Sequence, residues 1–317
     1  MADDESTAGK RGNTWVVVCA IVADAAIAVA KLLAALFTGS SAMLSEAIHS
    51  AIDSANASLL LVGEKRSRRP PDELHPLGHG VEVYFWSLIV AIVIFALGGG
   101  MSVYEGVHHL LHPEPIRSAF WNYIVLGISA LLSGASLWIS GKEFFRRVGT
   151  GESWWHAYRQ SKDPVIYTVL FEDVAAVLGL VLAALGVWLG QLLNNPYIDG
   201  IASLLIGLMM ASVAALLVNE TRKLLLGEAV DRDQAREMTR IVRSDPAVTN
   251  AASPLTLHLG PRDVLLLLEI EFKDDLRVGE LERAVTRIES SIRAKHPQVS
   301  RIYVEAKSLG KAGKESA

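Results

Sequence analysis

A single cysteine, Cys19, occurs in the 317 residues. This excludes an intramolecular disulfide framework and cysteine-rich zinc modules, so any metal chemistry falls to histidine and carboxylates. An excess of positive charge is also lacking. Thirty Lys plus Arg face 34 Asp plus Glu, a net charge of −4, which gives no general electrostatic case for nucleic acid as a partner. Signatures of catalysis are missing too: there is no nucleophile beside a base, no Gly-rich phosphate loop and no H-E-x-x-H pattern, so an enzyme is the weakest reading. The absence of a filter-like loop gives little support to an ion channel. No internal repeat occurs, and low complexity is confined to the tail after Lys307.

Apolar residues are in surplus. Hydrophobic residues make up 51% of the chain, and counting glycine while leaving tyrosine out raises this to roughly 57%, where soluble domains run at about 45–50%. With a mean hydropathy of +0.32, the composition points to a membrane. Four stretches contain no Asp, Glu, Lys or Arg: Val83 to Tyr104, Ser118 to Gly141, Val174 to Ile198 and Gly200 to Asn219. Each can cross about 30 Å of hydrocarbon as a helix of roughly 20 residues. Two further apolar stretches are interrupted, Thr14 to Phe37 by Asp24 and Lys31, and Ser41 to Gly63 by Glu46, His49 and Asp53. The expectation is a six-helix α-helical polytopic domain over 14–226. Its fifth helix starts near Val165, because Pro164 suits a first turn, which puts Glu172 and Asp173 inside the span.

The loops orient these spans. Lys10, Arg11, Lys65, Arg66, Arg68, Arg69, Lys142, Arg146, Arg147, Arg159, Lys162, Arg222 and Lys223 fall on one side and only Arg117 on the other. The positive-inside rule then makes both termini cytoplasmic, in agreement with an even number of spans. The N-terminal tail, 1–13, is acidic before it is basic and precedes a long apolar run, which reads as a first membrane helix and not a cleaved signal. Trp154 and Trp155 read as an interfacial aromatic belt.

From Gly227 the composition becomes that of a soluble domain. Helical periodicity over Asp231 to Ser244 and Val278 to His296, with strands over Val248 to His258, Val264 to Phe272 and Ser300 to Val304, predicts an α+β domain of order α-β-β-α-β over 227–307, ahead of a flexible tail at 308–317. Its core is expected from Val264, Leu266, Leu268, Ile270, Val285, Ile288 and Ile292, and its isolated His258 and His296 read as structural.

Ionisable groups in a bilayer each cost about 2.5–3.5 kcal/mol on insertion scales, and are functional candidates by default. His49 and Asp53, four apart, share a helix face. Asp53 lies roughly 18 Å below the outer boundary and Asp173 roughly 12 Å above the inner one at 1.5 Å per residue, the same depth in a core of about 30 Å. Two carboxylates at one level beside an imidazole describe a divalent-cation site, and nitrogen with oxygen suits zinc and other first-row metals better than magnesium or calcium. The competing reading of His49 with Asp53 is a pair that fixes packing. Asp24 and Lys31, two turns apart, are expected to pair structurally. His108, His109 and His112 either collect metal on the outer side or form a solvated patch, the commoner case.

The run KLLAALFTGSSAMLSEAIHSAIDSANASLLL from Lys31 to Leu61, then PPDELHPLGHGVEVYFW and, at the sixth helix, DGIASLLIGLMM, resembles the cation diffusion facilitator family. The resemblance covers nearly the whole chain and implies a homodimeric exporter of zinc or a related metal ion (manganese, iron, cobalt and cadmium stay open) in exchange for protons, in a plasma or inner membrane. It implies a transport site of paired ligands four apart on helices two and five. His49 and Asp53 match the first pair, and a histidine there resembles the zinc-preferring branches. In the second pair Asp173 matches, but Val169 stands where the family has histidine. Glu172 is about 100° away around the helix, so the fourth ligand is Glu172 or water. DPVIYTVLFEDVAAVLGL is similar to the branch containing zinc transporter nine. Asp72, His75 and His79 stand at the spacing of a loop zinc site of bacterial members, against a solvated loop as the plain alternative. The rival to transport is a transport-impaired member acting as a metal-responsive scaffold or partner subunit, which Val169 would permit.

Overall fold

A computed structural model describes residues 25–113, 119–148 and 164–308. Asp24, Cys19, Arg117, Trp154 and Trp155, and the expectations resting on them, lie outside these residues. The chain divides into two compact units. One comprises 1–64, 85–158 and 164–221, and the other 65–84, 159–163 and 222–317.

The first unit is helical. Its elements are α1 (Ala25–Thr38), α2 (Ser41–Ser67), α3 (Glu82–Leu111), α4 (Ala119–Val148), α5 (Pro164–Leu192) and α6 (Tyr197–Leu225). Among the described residues, α3 to α6 each contain a window long and apolar enough to cross a membrane. The other two expected spans differ. The described part of α1 is shorter, and α2 has the length but its apolar run is broken by Glu46, His49 and Asp53. The described α5 begins at Pro164, and Glu172 and Asp173 are well inside it.

Small residues set how closely these helices approach. Gly99 and Gly106 of α3 and Gly200 and Gly207 of α6 repeat every seven residues, and a Cβ on Gly106 or Gly207 would run into the backbone of Leu204 or Val103. Without a hydrophobic force between helices in lipid, such backbone contact is a main source of association. Where this row of contacts begins, α3 carries one π-helical turn, Ile94–Gly99, of a kind often found at functional sites. α1 ends at Gly39, whose φ of +72° permits the left-handed cap that returns its N–H to Ala35.

α2 follows at once, and its N-terminus is capped from outside. The buried Asp199 of α6 accepts from Ser40 Oγ at 2.7 Å, Ser41 N at 2.5 Å, Ser41 Oγ at 3.0 Å and Ala42 N at 3.3 Å. Its carboxylate satisfies otherwise orphaned amides and faces the positive end of the helix dipole. The buried stripe of α2 recurs at helical spacing through Ala42, Ser45, His49, Ile52, Asn56, Leu60 and Gly63. Polar residues therefore face the interior of this unit, as a membrane helix with a polar function requires.

The second unit contains α7 (Arg232–Arg243), β1 (Val248–Ala251), β2 (Leu255–Gly260), β3 (Asp263–Phe272), α8 (Val278–Lys295) and β4 (Val299–Ala306). α7 starts at Asp231, which accepts from Asp233 N at 3.2 Å. β1 and β2 pair antiparallel with successive stretches of β3, and β4 pairs with it in parallel. The strand expected over Val248 to His258 is thus two strands. The break falls at 252–254, where Pro254 offers no N–H to the ladder. The last strand is longer than expected, ending at Ala306. Val264, Leu266, Leu268 and Ile270 alternate into a core with Met238, Val242, Ile288 and Ile292, each fully buried side chain stabilising by about 1.5–3 kcal/mol. Val285 is only half-buried, and Ala284 takes the inward place expected of it, because 284, 288 and 292 form one i, i+4 row.

Candidate metal sites

Within the helical unit, Asp53 of α2 and Glu172 and Asp173 of α5 line one cavity of about 230 Å³, together with Ser136 of α4, Ile27 of α1 and Val169. Neighbouring positions on α5 both reach it because the cavity wall spans more than one helix face: Asp173 is turned toward α4 and Glu172 toward α2. Each is held by a neutral donor. Ser136 Oγ donates to Asp173 Oδ1 at 2.9 Å, and Asn56 Nδ2 donates to Glu172 Oε1 at 2.7 Å. Val169, the residue in the position of the missing histidine, is on the same wall and offers no donor atom.

His49 is buried one turn from Asp53, its Nε2 3.2 Å from Asp53 Oδ2, while its Nδ1 has no hydrogen-bond partner. Asp53, Glu172 and Asp173 line the cavity and His49 stands one turn behind Asp53, outside the lining. Among the described residues, the three-residue set whose ligand atoms all lie within 4.8 Å of one another is Asp72, His75 and His79.

Lys31 has a partner that was not expected, while its expected pairing with Asp24 lies outside the described residues. Its ammonium lies 2.9 Å from Glu46 Oε2 and donates to Ser50 Oγ at 2.7 Å, both charged side chains being buried. Lysine at 31 is fifteen residues from glutamate at 46, and only the return of the chain through the Gly39 turn brings them together. Glu46 Oε1 has no partner and packs where a Cβ on Gly179 of α5 would stand. His108, His109 and His112 do not assemble a ligand set among the described residues. His108 stacks on Tyr104 and tilts against His112, and His109 is buried.

The second unit holds the loop set. Asp72 Oδ1 accepts from Leu74 N at 3.0 Å and His75 N at 2.6 Å and lies 3.2 Å from His75 Nδ1, while Oδ2 lies 3.0 Å from His79 Nε2. The backbone N–H of His75, then the His79 side chain, hold the Asp72 carboxyl down at about 2. Gly78, with φ +87°, makes the turn that folds His79 back over His75, their rings 4.3 Å apart. Arg301 of β4 donates to Leu77 O at 2.8 Å, and Gly80 sits against the Leu259 carbonyl too closely for any side chain. Two nitrogens and a carboxylate, with His79 largely buried and the other two half exposed, form a three-donor set of the kind that takes zinc with a fourth ligand from solvent. His258 is structural, its Nδ1 2.8 Å from Glu228 O, and His296 pairs with Glu237 at 3.4 Å.

Asn56, Ser136, Asp199 and the Lys31 to Glu46 pair were not reached by sequence reasoning. A polar residue three positions after Asp53 on a buried helix was the available signal for Asn56; the other three needed the packing.

Histidines and carboxylates inside a helical bundle, together with a small α+β unit, define a class of metal-handling membrane proteins. A family model described as the cation efflux transmembrane domain matches residues 17–226. The chain belongs to this family, the cation diffusion facilitators, and is an integral membrane protein. It is 38% identical over 263 residues, 83% of its length, to the proton-coupled zinc antiporter SLC30A9, mitochondrial, of Xenopus laevis, covering 47% of that protein. To metal tolerance protein C4 of Arabidopsis thaliana it is 32% identical over 242 residues, 76% of this chain and 53% of that one. To the cation-efflux pump FieF of Klebsiella pneumoniae it is 25% identical over 274 residues, 86% of this chain and 85% of the pump. The chain spans about half the length of the animal and plant relatives. The likeness to SLC30A9 puts it in the branch containing zinc transporter nine, as its α5 sequence implied.

Proposed function

We propose that the chain carries a divalent transition-metal cation, zinc first, out of the cytoplasm by proton antiport. The observation that carries the reading is the shared cavity of Asp53, Glu172 and Asp173, three acids from two helices with a buried histidine one turn away. His49, Asp53 and Asp173 are the transport ligands and Glu172 the fourth. A bound cation draws them together, and repulsion among unneutralised acids keeps them apart without it. Metal requires a neutral imidazole and ionised carboxylates, so protons arriving from the outer side displace it as the helices rock to expose the cavity. Asp72, His75 and His79 form a second zinc site in the loop. The transport domain has six spans with both termini cytoplasmic, works as a homodimer, and resides in an inner or plasma membrane that carries a proton gradient.

The scaffold alternative drew on Val169. Glu172 on the same cavity wall supplies the donor that Val169 lacks, which favours transport. Zinc uptake into proteoliposomes under an imposed pH gradient tests the choice. Asp53→Asn and Asp173→Asn should each abolish uptake; undiminished uptake in both contradicts the site, and no proton-coupled flux of any metal in the unaltered protein leaves the scaffold.

A further inference from the structure

We propose that Asn56 and Ser136 are specificity-determining positioning residues, which turn Glu172 and Asp173 into one-oxygen ligands and thereby favour four-coordinate zinc over larger, oxygen-preferring cations. The inference rests on the transport reading above. Asn56 is fully buried on α2 and touches the site only through Glu172: its Nδ2 holds Oε1 at 2.7 Å, and its own Oδ1 is buried without a partner. The nitrogen faces the carboxylate because the flipped amide would set oxygen against oxygen. From α4, Ser136 Oγ holds Asp173 Oδ1 at 2.9 Å with Ser140 also beside the carboxylate, and Oδ2 is buried without a hydrogen-bond partner. The same arrangement thus occurs twice, from two different helices.

A carboxylate with one oxygen engaged has one left for a cation. Zinc in a tetrahedral site takes one donor atom from each of four ligands, here an imidazole nitrogen and three carboxylate oxygens. Manganese and calcium favour higher coordination by oxygen, for which two-oxygen carboxylates are the usual means. The holders are an amide and a hydroxyl. A lysine or arginine would fix the same oxygens more strongly, but it would also cancel the negative charge that attracts the cargo. Neutral donors orient the acids and leave the charge in place.

The test compares zinc with manganese in proteoliposomes and, separately, by competitive metal titration of the purified full chain in detergent. Asn56→Leu, close in size and without a donor, should raise the zinc KM and cut the zinc-over-manganese preference about tenfold, the worth of a hydrogen bond to a charged group, with maximal zinc flux largely kept. Ser136→Ala removes one hydroxyl, so it folds in the event that Asn56→Leu does not, and should shift the preference the same way. Ser136→Thr, which keeps the hydroxyl, should restore it. A structural role alone would lower flux of both metals equally, and an unchanged preference in Asn56→Leu and Ser136→Ala overturns the proposal while leaving transport intact. Absence of any metal flux in the unaltered protein defeats the transport reading and this inference with it.

Discussion

Replacing Lys31 by methionine tests whether the interior of the helical unit is balanced by a buried ion pair. Lys31 and Glu46 are 1% and 0% exposed, and the ammonium makes a 2.9 Å ion pair with the carboxylate and a 2.7 Å bond to Ser50 Oγ. Methionine matches the length of the aliphatic stem, so packing is largely retained and the change isolates the charge. What remains is a buried carboxylate with neither oxygen bonded, since Glu46 Oε1 already has no partner. Removing one member of a buried pair costs about 3–5 kcal/mol, whereas replacing both with apolar groups of similar volume is often neutral or stabilising. At roughly 2–4 °C per kcal/mol for a domain of this size, Lys31→Met should lower the melting temperature by roughly 10 °C. The double variant Lys31→Met with Glu46→Met should recover most of that loss. Thermal unfolding of the full chain in detergent, followed by tryptophan fluorescence, measures both and closes the mutant cycle. A Lys31→Met variant that melts with the unaltered protein, or a double variant no better than the single one, refutes the reasoning.

Asp199→Ala should destabilise by about 2–4 kcal/mol in the same assay, because it strands the Ser41 and Ala42 amides at the start of α2, whereas Asp199→Asn, which keeps an acceptor oxygen, should cost much less. In the loop, His75→Ala or His79→Ala should weaken zinc binding at Asp72, His75 and His79 by at least about tenfold in a metal titration, the loss expected of a direct ligand and no smaller than that of a supporting group. Because Asp72 is held down at about 2, it is already ionised at neutral pH, so calorimetry in buffers of different ionisation enthalpy should count at most two protons released per zinc, both from imidazoles. The depressed Asp72 value also gives the loop turn a stability that is present above about pH 4 and lost as pH falls from there to about 2, visible as acid-induced loss of loop protection in hydrogen exchange.

What the sequence made legible was whatever depends on spacing along one helix or strand. His49 and Asp53 are four apart and Val264, Leu266, Leu268 and Ile270 alternate, so local periodicity was enough to find them, while Asp72, His75 and His79, within one short loop, were found through the family resemblance. Residues that act across helices were out of its reach. Lys31 is fifteen residues from Glu46, and only the Gly39 turn, which returns α2 along α1, brings the two together. Asp199 stood inside a quoted motif, but its role depends on where α6 meets the start of α2. The position of Glu172 is the most instructive case. One residue from Asp173, it was about 100° off the expected ligand face, and a single-helix argument could admit it only by rotating or distorting α5. The cavity removes that need, because its wall includes α2 as well as α4: Asn56 holds Glu172 from one side and Ser136 holds Asp173 from the other. A site bounded by four helices accepts ligands from two faces of one of them, so a valine at 169 need not leave the coordination sphere short of a donor.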